Sequence, residues 1–150
     1  MKIQIRKAKP SDVPHIFSML KELAKFEKLS KMLKITEEVL LKDLFGSKKI
    51  IFANVAQVED QVIGYAIYFY NYSTFLGKKG IYLEDLYVKP KFRKLGAGKK
   101  LLSTLIEEAK KNSLGRVEWS VLDWNQNAID FYKSMGAEIL PDWRTCRVKI

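Results

Sequence analysis

Hydrophobic and polar positions change their spacing several times along the chain. Residues Lys2–Arg6 alternate between polar and apolar side chains, which predicts a short strand. In the next two segments apolar residues recur at helical spacing. The first begins after Ser11 and the second after Thr36, both typical N-caps, and Gly46 is a natural end for the second. The first third of the chain therefore predicts one strand and two amphipathic helices.

Strand-forming residues dominate the middle of the chain. Residues Ile50–Val58 and Val62–Tyr70 flank a short polar turn and predict a hairpin. Gly64 lies inside the second of these strands, where it indicates a bulge or a close approach of another backbone. Residues 71–79 predict a loop, and Gly80–Val88 predict a third strong strand that ends before a proline.

Helix and strand patterns then alternate towards the C-terminus. We expect a helix over residues 97–111, a strand over Val117–Val121, a short helix over Asn127–Met135 and a last strand over Trp143–Ile150. The order of elements is therefore β-α-α-β-β-β-α-β-α-β. Helices between strands, with a hairpin in the middle, predict an α/β fold with a mixed sheet and helices on its faces.

Length and composition predict a single globular domain over residues 1–150. Hydrophobic residues make up 47% of the chain and charged residues 29%, as in ordinary soluble proteins. No apolar run reaches the ~20 residues needed to cross a bilayer, so we expect no membrane association. Cys146 is the only cysteine and Met1–Lys7 does not resemble a signal peptide, so a cytoplasmic location is expected.

Residue types narrow the possible chemistry. One cysteine and one histidine exclude the common metal sites and the usual Cys–His and Ser–His–Asp catalytic sets, so we expect no metal. Catalysis would then depend on carboxylates, tyrosine, backbone donors or a cofactor. The net charge of +10 favours anionic partners, and nucleic acid, an anionic membrane and a phosphorylated cofactor all satisfy it.

A glycine-containing loop precedes the helix predicted over residues 97–111. Gly96 and Gly98 let the backbone approach a ligand, and the first amides of the helix have no partner within it. Arg93, Lys94 and Lys99 add positive charge. This pattern predicts an anion site suited to a pyrophosphate. Taken alone, it is equally typical of a lysine-decorated turn, and it matches neither a Walker loop nor a dinucleotide fingerprint.

A second segment accompanies this loop at a fixed distance. Residues Asn125–Gly136 read Asn-x-x-Ala-x-x-Phe-Tyr-x-x-x-Gly after a strand, and Arg93–Gly98 read Arg-x-x-Gly-x-Gly. Together they closely resemble the GNAT acetyltransferase superfamily. Leu20–Glu27, Tyr82–Val88 and the Trp124-Asn125 pair further resemble its diamine branch, the spermidine/spermine and thialysine acetyltransferases.

The resemblance implies a GNAT fold: a mixed, mostly antiparallel central sheet splayed in the middle, with helices on both faces, in a homodimer. It also implies acetyl-CoA as donor, with its pantetheine arm between the splayed strands and its pyrophosphate in the glycine loop. The backbone of the third strand would pair with the pantetheine amides and offer an oxyanion site. The implied cofactor-binding residues are Leu86, Tyr87, Val88, Arg93, Lys94, Leu95, Gly96, Ala97, Gly98, Lys99, Asn125 and Tyr132.

The resemblance further implies transfer to a primary amine by direct attack. A lysine-like amine has a pKa of about 10.4 and must lose a proton, for which Glu84 is the candidate base, through a water. Tyr132 is the candidate acid for the leaving thiolate. Strand alternation places Glu84 and Asp85 on opposite faces unless a bulge intervenes, so we expect different roles for them. The candidate acceptor-binding residues are Glu27, Phe75, Glu84, Asp85 and Trp124.

The chain departs from the polyamine enzymes in two places. Lys28–Lys31 and Asn71–Thr74 lack the acids that those enzymes carry there, and the net charge of +10 opposes a trication. We therefore expect a small diamine or a lysine-like acceptor. An acetyltransferase acting on a protein or peptide lysine or N-terminal amine is the alternative enzyme. Two functions without catalysis also stay open: a basic nucleic-acid-binding module and a cofactor-binding regulator.

Overall fold

A computed structural model describes all residues, Met1–Ile150. It contains two compact units, Met1–Ser120 and Val121–Ile150, and each is described by itself. The first unit holds the whole sheet and three α-helices. The second holds one short α-helix, Gln126–Ser134, named α4. No helix in the structure combines the length and apolarity needed to cross a membrane.

The sheet of the first unit has five strands that lie side by side in chain order. These are β1 (Ile3–Lys7), β2 (Phe52–Val58), β3 (Gln61–Ser73), β4 (Lys78–Val88) and β5 (Val117–Glu118). Neighbouring strands are antiparallel except β4 and β5, which are parallel. The expected mixed, mostly antiparallel sheet is thus confirmed.

The three α-helices of the first unit are α1 (Val13–Phe26), α2 (Glu37–Phe45) and α3 (Ala97–Lys111). Thr36 caps α2 as predicted, because its Oγ1 accepts a hydrogen bond from the Val39 amide at 3.2 Å. The prediction for Ser11 is wrong. Ser11 lies in a 3-10 turn before α1, where the Asp12 carboxylate accepts from the Lys9 amide at 2.7 Å.

The helices pack on both faces of the sheet. On one face, apolar side chains of α1 and α2 form a core with strand residues. Its buried members are Val13, Ile16, Met19, Leu40, Leu44, Ala53, Val55, Val62, Tyr65, Ile67 and Tyr87. On the other face, Glu108 of α3 and Tyr68 of β3 both bind the Lys7 ammonium, at 2.8 and 2.6 Å. Burial of each large apolar side chain stabilises the fold by roughly 1.5–3 kcal/mol.

The sheet is longer in its centre and shorter at its end than the sequence predicts. Residues 71–79, predicted as a loop, mostly continue the β3–β4 ladder, which leaves only residues 74–77 as the turn. Cross-strand pairing there overrides the polar local composition. Conversely, β5 stops at Glu118, and Trp143–Ile150 forms no strand. Alternation alone does not make a strand, because a strand also needs a neighbour to pair with.

A bulge interrupts the pairing of β2 with β3. In β3, Ala56 pairs with Gly64 and Gln57 pairs with Val62, so Ile63 is the extra residue. A Cβ atom on Gly64 would lie 2.8 Å from the carbonyl oxygen of Tyr87. The expectation that Gly64 marks a bulge or a close backbone approach is therefore confirmed on both counts.

The sheet opens between β4 and β5. The two strands pair only through Ile81 with Val117 and Tyr82 with Glu118. Residues 83–88 of β4 consequently have no strand beside them on that edge. The sheet is therefore open on this side of β4, next to its last strand.

Candidate active site

A second bulge lies in β4, at Glu84. Asp85 pairs with Ile67 and Leu83 pairs with Tyr68, so Glu84 has no partner in β3. The extra residue breaks the alternation of side chains at this point. The expectation of opposite faces made an exception for a bulge, and a bulge lies at this point. The Glu84 carboxylate acts on Asp85 and raises its pKa.

Asp85 lies on the face of the sheet that α1 and α2 cover. It stands opposite Ile67, a member of the core on that face. The hydroxyl of Tyr65 donates a hydrogen bond to Asp85 Oδ2 at 3.4 Å. Burial above all, and then the Glu84 and Glu27 carboxylates, raise the pKa of Asp85 from 3.8 to about 7, against an opposing effect of Tyr65.

Glu27 brings a third carboxylate to this place from the end of α1. Its amide donates to the Leu23 carbonyl at 2.9 Å, which fixes it as the residue that closes the helix. Burial raises the pKa of Glu27. Glu27, Glu84 and Asp85 form what we call the acidic cluster. A carboxyl whose pKa is shifted as strongly as that of Asp85 is typical of a functional site.

The members of the acidic cluster differ in access to solvent. Glu84 is exposed, whereas Asp85 and Glu27 are partly buried. Phe75, a predicted acceptor contact, is not part of the cluster. It lies at the tip of the β3–β4 turn with its side chain 100% exposed. The stretch of β4 from Lys78 to Leu83 separates that turn from Glu84, about 20 Å along a strand.

The backbone of β4 is available along part of its open edge, although the Val88 carbonyl already accepts from Arg93 Nε at 2.8 Å. The Lys89 amide donates to the Ile63 carbonyl at 2.8 Å, which turns Lys89 and Tyr87 towards β3. Because backbone groups alternate along a strand, Leu86 and Val88 turn towards the edge that β5 leaves uncovered. This is the edge where the pantetheine arm is expected.

The loop after β4 leads to the first amides of α3. Gly96 has φ +90° and caps α3, and Lys94 has φ +67°. The first amide to bond back in the helix is that of Lys100, which donates to the Gly96 carbonyl at 2.9 Å. The amides before it, at the start of α3, have no partner within the helix. They surround the positive end of a helix of 15 residues, a suitable cradle for a pyrophosphate.

Arg93 is anchored at the base of this loop. Its Nε donates to the Val88 carbonyl at 2.8 Å. Its guanidinium lies 5.2 Å from the ring centre of Tyr87 and 5.8 Å from that of Phe26. Arg93 therefore ties the loop to β4 and α1, while the exposed Lys94 and Lys99 follow it in the loop.

The second unit holds the remaining predicted residues, Trp124, Asn125 and Tyr132. The Oδ1 atom of Asn125 accepts from the Ala128 amide at 3.3 Å and so caps α4. The ring of Tyr132 lies 5.4 Å from that of Phe131. Roles of these residues towards cofactor or acceptor remain predictions.

Tyr65 is the functional candidate that the sequence did not indicate. In an apolar strand a tyrosine is typical of the core, and its side chain is indeed fully buried. The available signal was the hydroxyl itself, since a buried tyrosine hydroxyl usually needs a polar partner. Only the register of β3 and β4 shows that the partner is Asp85.

Known proteins of similar sequence show the family of the chain. Residues 16–137 match the model of the acetyltransferase (GNAT) family. The chain is 40% identical to the thialysine N-epsilon-acetyltransferase of Bos taurus over 148 residues, covering 93% of this chain and 86% of that protein. It is 33% identical to an L-ornithine N5-acetyltransferase of Arabidopsis thaliana, covering 97% and 83%.

Solved structures show the same fold. An integron cassette protein from Vibrio cholerae superposes with a TM-score of 0.82 at 24% identity, over 99% of this chain and 93% of that one. AAC(6')-Iy, in complex with a bisubstrate analog of CoA, superposes with a TM-score of 0.81 at 15% identity, over 100% of both chains. The chain belongs to the GNAT acetyltransferase family, and it is an acetyl-CoA-dependent amine N-acetyltransferase.

Proposed function

We propose that the acceptor is a primary amine of a small diamine or of a lysine-like amino acid. The acidic cluster carries this proposal. Glu27, Glu84 and Asp85 bring three carboxylates together at the bulge of β4, next to the open edge where the donor is expected. A molecule with two amines can place one cationic group in such a cluster while the other amine reacts.

The names of the relatives support this acceptor class. Thialysine and L-ornithine, after which two relatives are named, are both amino acids with an amine at the end of the side chain. Their chains match this one across more than nine-tenths of its length. A lysine-like acceptor also fits the departures from the polyamine enzymes at residues 28–31 and 71–74.

The site fits the donor through the backbone. The first amides of α3 would hold the pyrophosphate, and the backbone of Leu86 and the amide of Val88 would pair with the pantetheine arm. Acetyl-CoA supplies an acetyl group that is activated as a thioester. Since these contacts use main-chain groups, substitution of single lysines in the loop leaves most of this binding in place.

Glu84 is the proposed base. It is exposed, so a water molecule can connect it to the ammonium group of the acceptor and carry away its proton. Asp85 would bind the second cationic group of the acceptor. Tyr132 would act as the acid and return a proton to the departing sulfur.

A panel of amines tests the acceptor class. Release of free thiol from acetyl-CoA is measured with diamines, lysine analogues, free lysine and lysine-containing peptides. We expect turnover with a diamine or a lysine-like amino acid. Turnover with peptides alone would favour the alternative, a peptide or protein acetyltransferase, and no turnover with any amine would contradict the proposal.

Replacement of Tyr132 tests the acid. We expect Tyr132→Phe to lower kcat by about 10²–10⁴-fold, the usual range for loss of a general acid, with little change in the affinity for acetyl-CoA. Affinity is measured separately by calorimetry. Phe131→Leu, which alters the neighbouring ring only, is the matched control. An unchanged kcat would remove Tyr132 from the mechanism.

The resemblance to the diamine branch also leads us to propose a homodimer. Analytical ultracentrifugation tests this directly. A sedimenting species of 17.4 kDa at micromolar concentration would contradict it.

A further inference from the structure

Tyr65 places a polar group inside the core, at the back of the acidic cluster. Its side chain is 0% exposed, and its ring centre lies 6.4 Å from that of Tyr87. The only polar atom at the end of this ring is the hydroxyl, which donates to Asp85 Oδ2 at 3.4 Å. The ring therefore fixes one donor at a defined point beside a carboxylate.

The ionisable groups around this pair come from three elements. Glu27 at the end of α1 acts on both Tyr65 and Asp85. In β4, Glu84 acts on Asp85 and Tyr87 acts on Tyr65. Each of these neighbours opposes a negative charge on the pair. Of the groups that act on Asp85, Tyr65 is the one that favours its ionised form.

We infer that Tyr65 is a positioning residue for the acceptor amine: its buried hydroxyl favours the ionised form of the Asp85 carboxylate and keeps that carboxylate in place to receive the acceptor's second cationic group. This inference rests on the proposed function. It assigns to β3 a part in acceptor recognition, in addition to α1 and β4.

Tyr65 can serve only as a donor in this position. Burial first, and then the charge of Asp85, raise the pKa of Tyr65 well above its ordinary value of 10. Its proton is thus retained near neutral pH. A hydrogen bond to an ionised group is stronger than one to a neutral group, so the hydroxyl favours the carboxylate over the carboxylic acid.

An incoming ammonium group, like the Tyr65 hydroxyl, favours the ionised form of Asp85. A positive charge beside Asp85 offsets the repulsion from Glu84 and Glu27, so binding of the acceptor favours loss of the Asp85 proton. Conversely, a protonated Asp85 receives a cation less well. The acceptor's kcat/KM should therefore fall on the acid side as Asp85 becomes protonated.

Tyr65→Phe tests the inference because it removes the hydroxyl and keeps the ring. We expect the acid limb of the pH profile of kcat/KM for the acceptor to move upward by about 0.5–1 unit, since Asp85 loses its donor. Below that limb kcat/KM falls about 3–10-fold, and at high pH the two profiles meet. KM for acetyl-CoA is expected to stay unchanged.

Tyr68→Phe is the matched control. Tyr68 is also fully buried in β3, but its hydroxyl binds the Lys7 ammonium on the opposite face, at 2.6 Å. Its loss should reduce thermal stability and leave the acid limb where it is. An equal shift in both variants, or a drop in Tyr65→Phe by the same factor at every pH, would overturn the inference.

A double mutant shows whether Tyr65 acts through Asp85. In the Asp85→Asn background we expect Tyr65→Phe to have no further effect on the acid limb, because the group it influences no longer titrates. A persisting shift would overturn the inference. If Tyr65→Phe does not fold, as judged by thermal unfolding, the single variant Asp85→Asn decides: an acid limb identical to that of the wild type contradicts the inference.

The outcomes separate this inference from the proposed function. Absence of turnover with every small amine in the wild-type protein would count against the proposed function. Turnover in the wild type with identical pH profiles for Tyr65→Phe would count only against the role of Tyr65.

Discussion

At the residue scale, the Asp85 carboxyl behaves unlike an ordinary aspartate. Burial, Glu84 and Glu27 raise its pKa from 3.8 to about 7, and Tyr65 offsets part of this effect. Near neutral pH the group is therefore close to half protonated. A bound cation can change its charge at little cost, which suits a residue that receives an ammonium group.

Asp85→Asn should make the protein more stable at high pH. A folded-state pKa above the unfolded value means that the native protein holds the proton more tightly, so stability falls as pH rises from 3.8 towards about 7. At pH 8 we expect a gain of about 1–3 kcal/mol in the free energy of unfolding, less than the full shift because the residue is partly exposed.

Urea unfolding at pH 4.5 and pH 8 measures this difference. Glu84→Gln is the control for loss of a neighbouring charge at an exposed position. The compared quantity is the free energy of unfolding of Asp85→Asn minus that of the wild type. A smaller value of this difference at pH 8 than at pH 4.5 would contradict the prediction.

At the element scale, the segment from β4 to α3 is the proposed donor site, and it would act through its backbone. Arg93 ties its start to the Val88 carbonyl, and Gly96 takes φ +90° so that the helix can begin. Beyond Gly96, the first amides of α3 have no partner within the helix. Their arrangement depends on a conformation that side chains with a Cβ rarely adopt.

Gly96→Ala should weaken the binding of acetyl-CoA. No atom lies within 4 Å of the new Cβ, so the effect comes from backbone strain alone, about 1–2 kcal/mol. Relief of this strain turns the amides away from the pyrophosphate, and KM for acetyl-CoA should rise while KM for the acceptor changes little.

Gly77→Ala provides the matched control. Gly77 has φ +64° and equally open surroundings, but it lies in the β3–β4 turn. Both variants should lose similar thermal stability, and only Gly96→Ala should change KM for acetyl-CoA. Equal values of this KM in the two variants would rule out the amide cradle as the binding element.

At the scale of the whole molecule, charge is distributed unevenly. The chain carries a net charge of +10, yet Glu27, Glu84 and Asp85 meet in one place. A positive protein attracts the phosphates of acetyl-CoA from a distance and repels a cationic acceptor. The acidic cluster reverses that repulsion only at short range.

Salt should therefore affect the two substrates in opposite directions. The screening length falls from roughly 30 Å at 0.01 M salt to about 10 Å at 0.1 M. Over this range we expect kcat/KM for acetyl-CoA to fall and kcat/KM for a cationic acceptor to hold or rise. Steady-state rates at each salt concentration measure this, and a parallel fall for both substrates would contradict it.

Local signals predicted a large part of the fold. The bounds of α3, the cap at Thr36 and the irregularity at Gly64 were all predicted correctly, because helix spacing, a hydroxyl cap and a glycine within a strand act over a few neighbouring residues. The last strand at Trp143–Ile150 was predicted on the same kind of signal and is absent. A strand must pair with a neighbouring strand, and a short stretch of sequence does not show which segment will lie beside it.

The sequence by itself predicted the donor half of the candidate site, and the tertiary structure decided which residues meet in its proposed acceptor half. Arg93–Gly98 joins a strand end, two glycines and a helix start within a few residues, so its anion-binding character follows from local chemistry. The acidic cluster joins the end of α1 to β4 at a bulge at Glu84, which only the register of β4 with Ile67 and Tyr68 of β3 defines. Its charges and the raised pKa of Asp85 arise from burial and from contacts between distant segments, which exist only in the folded chain.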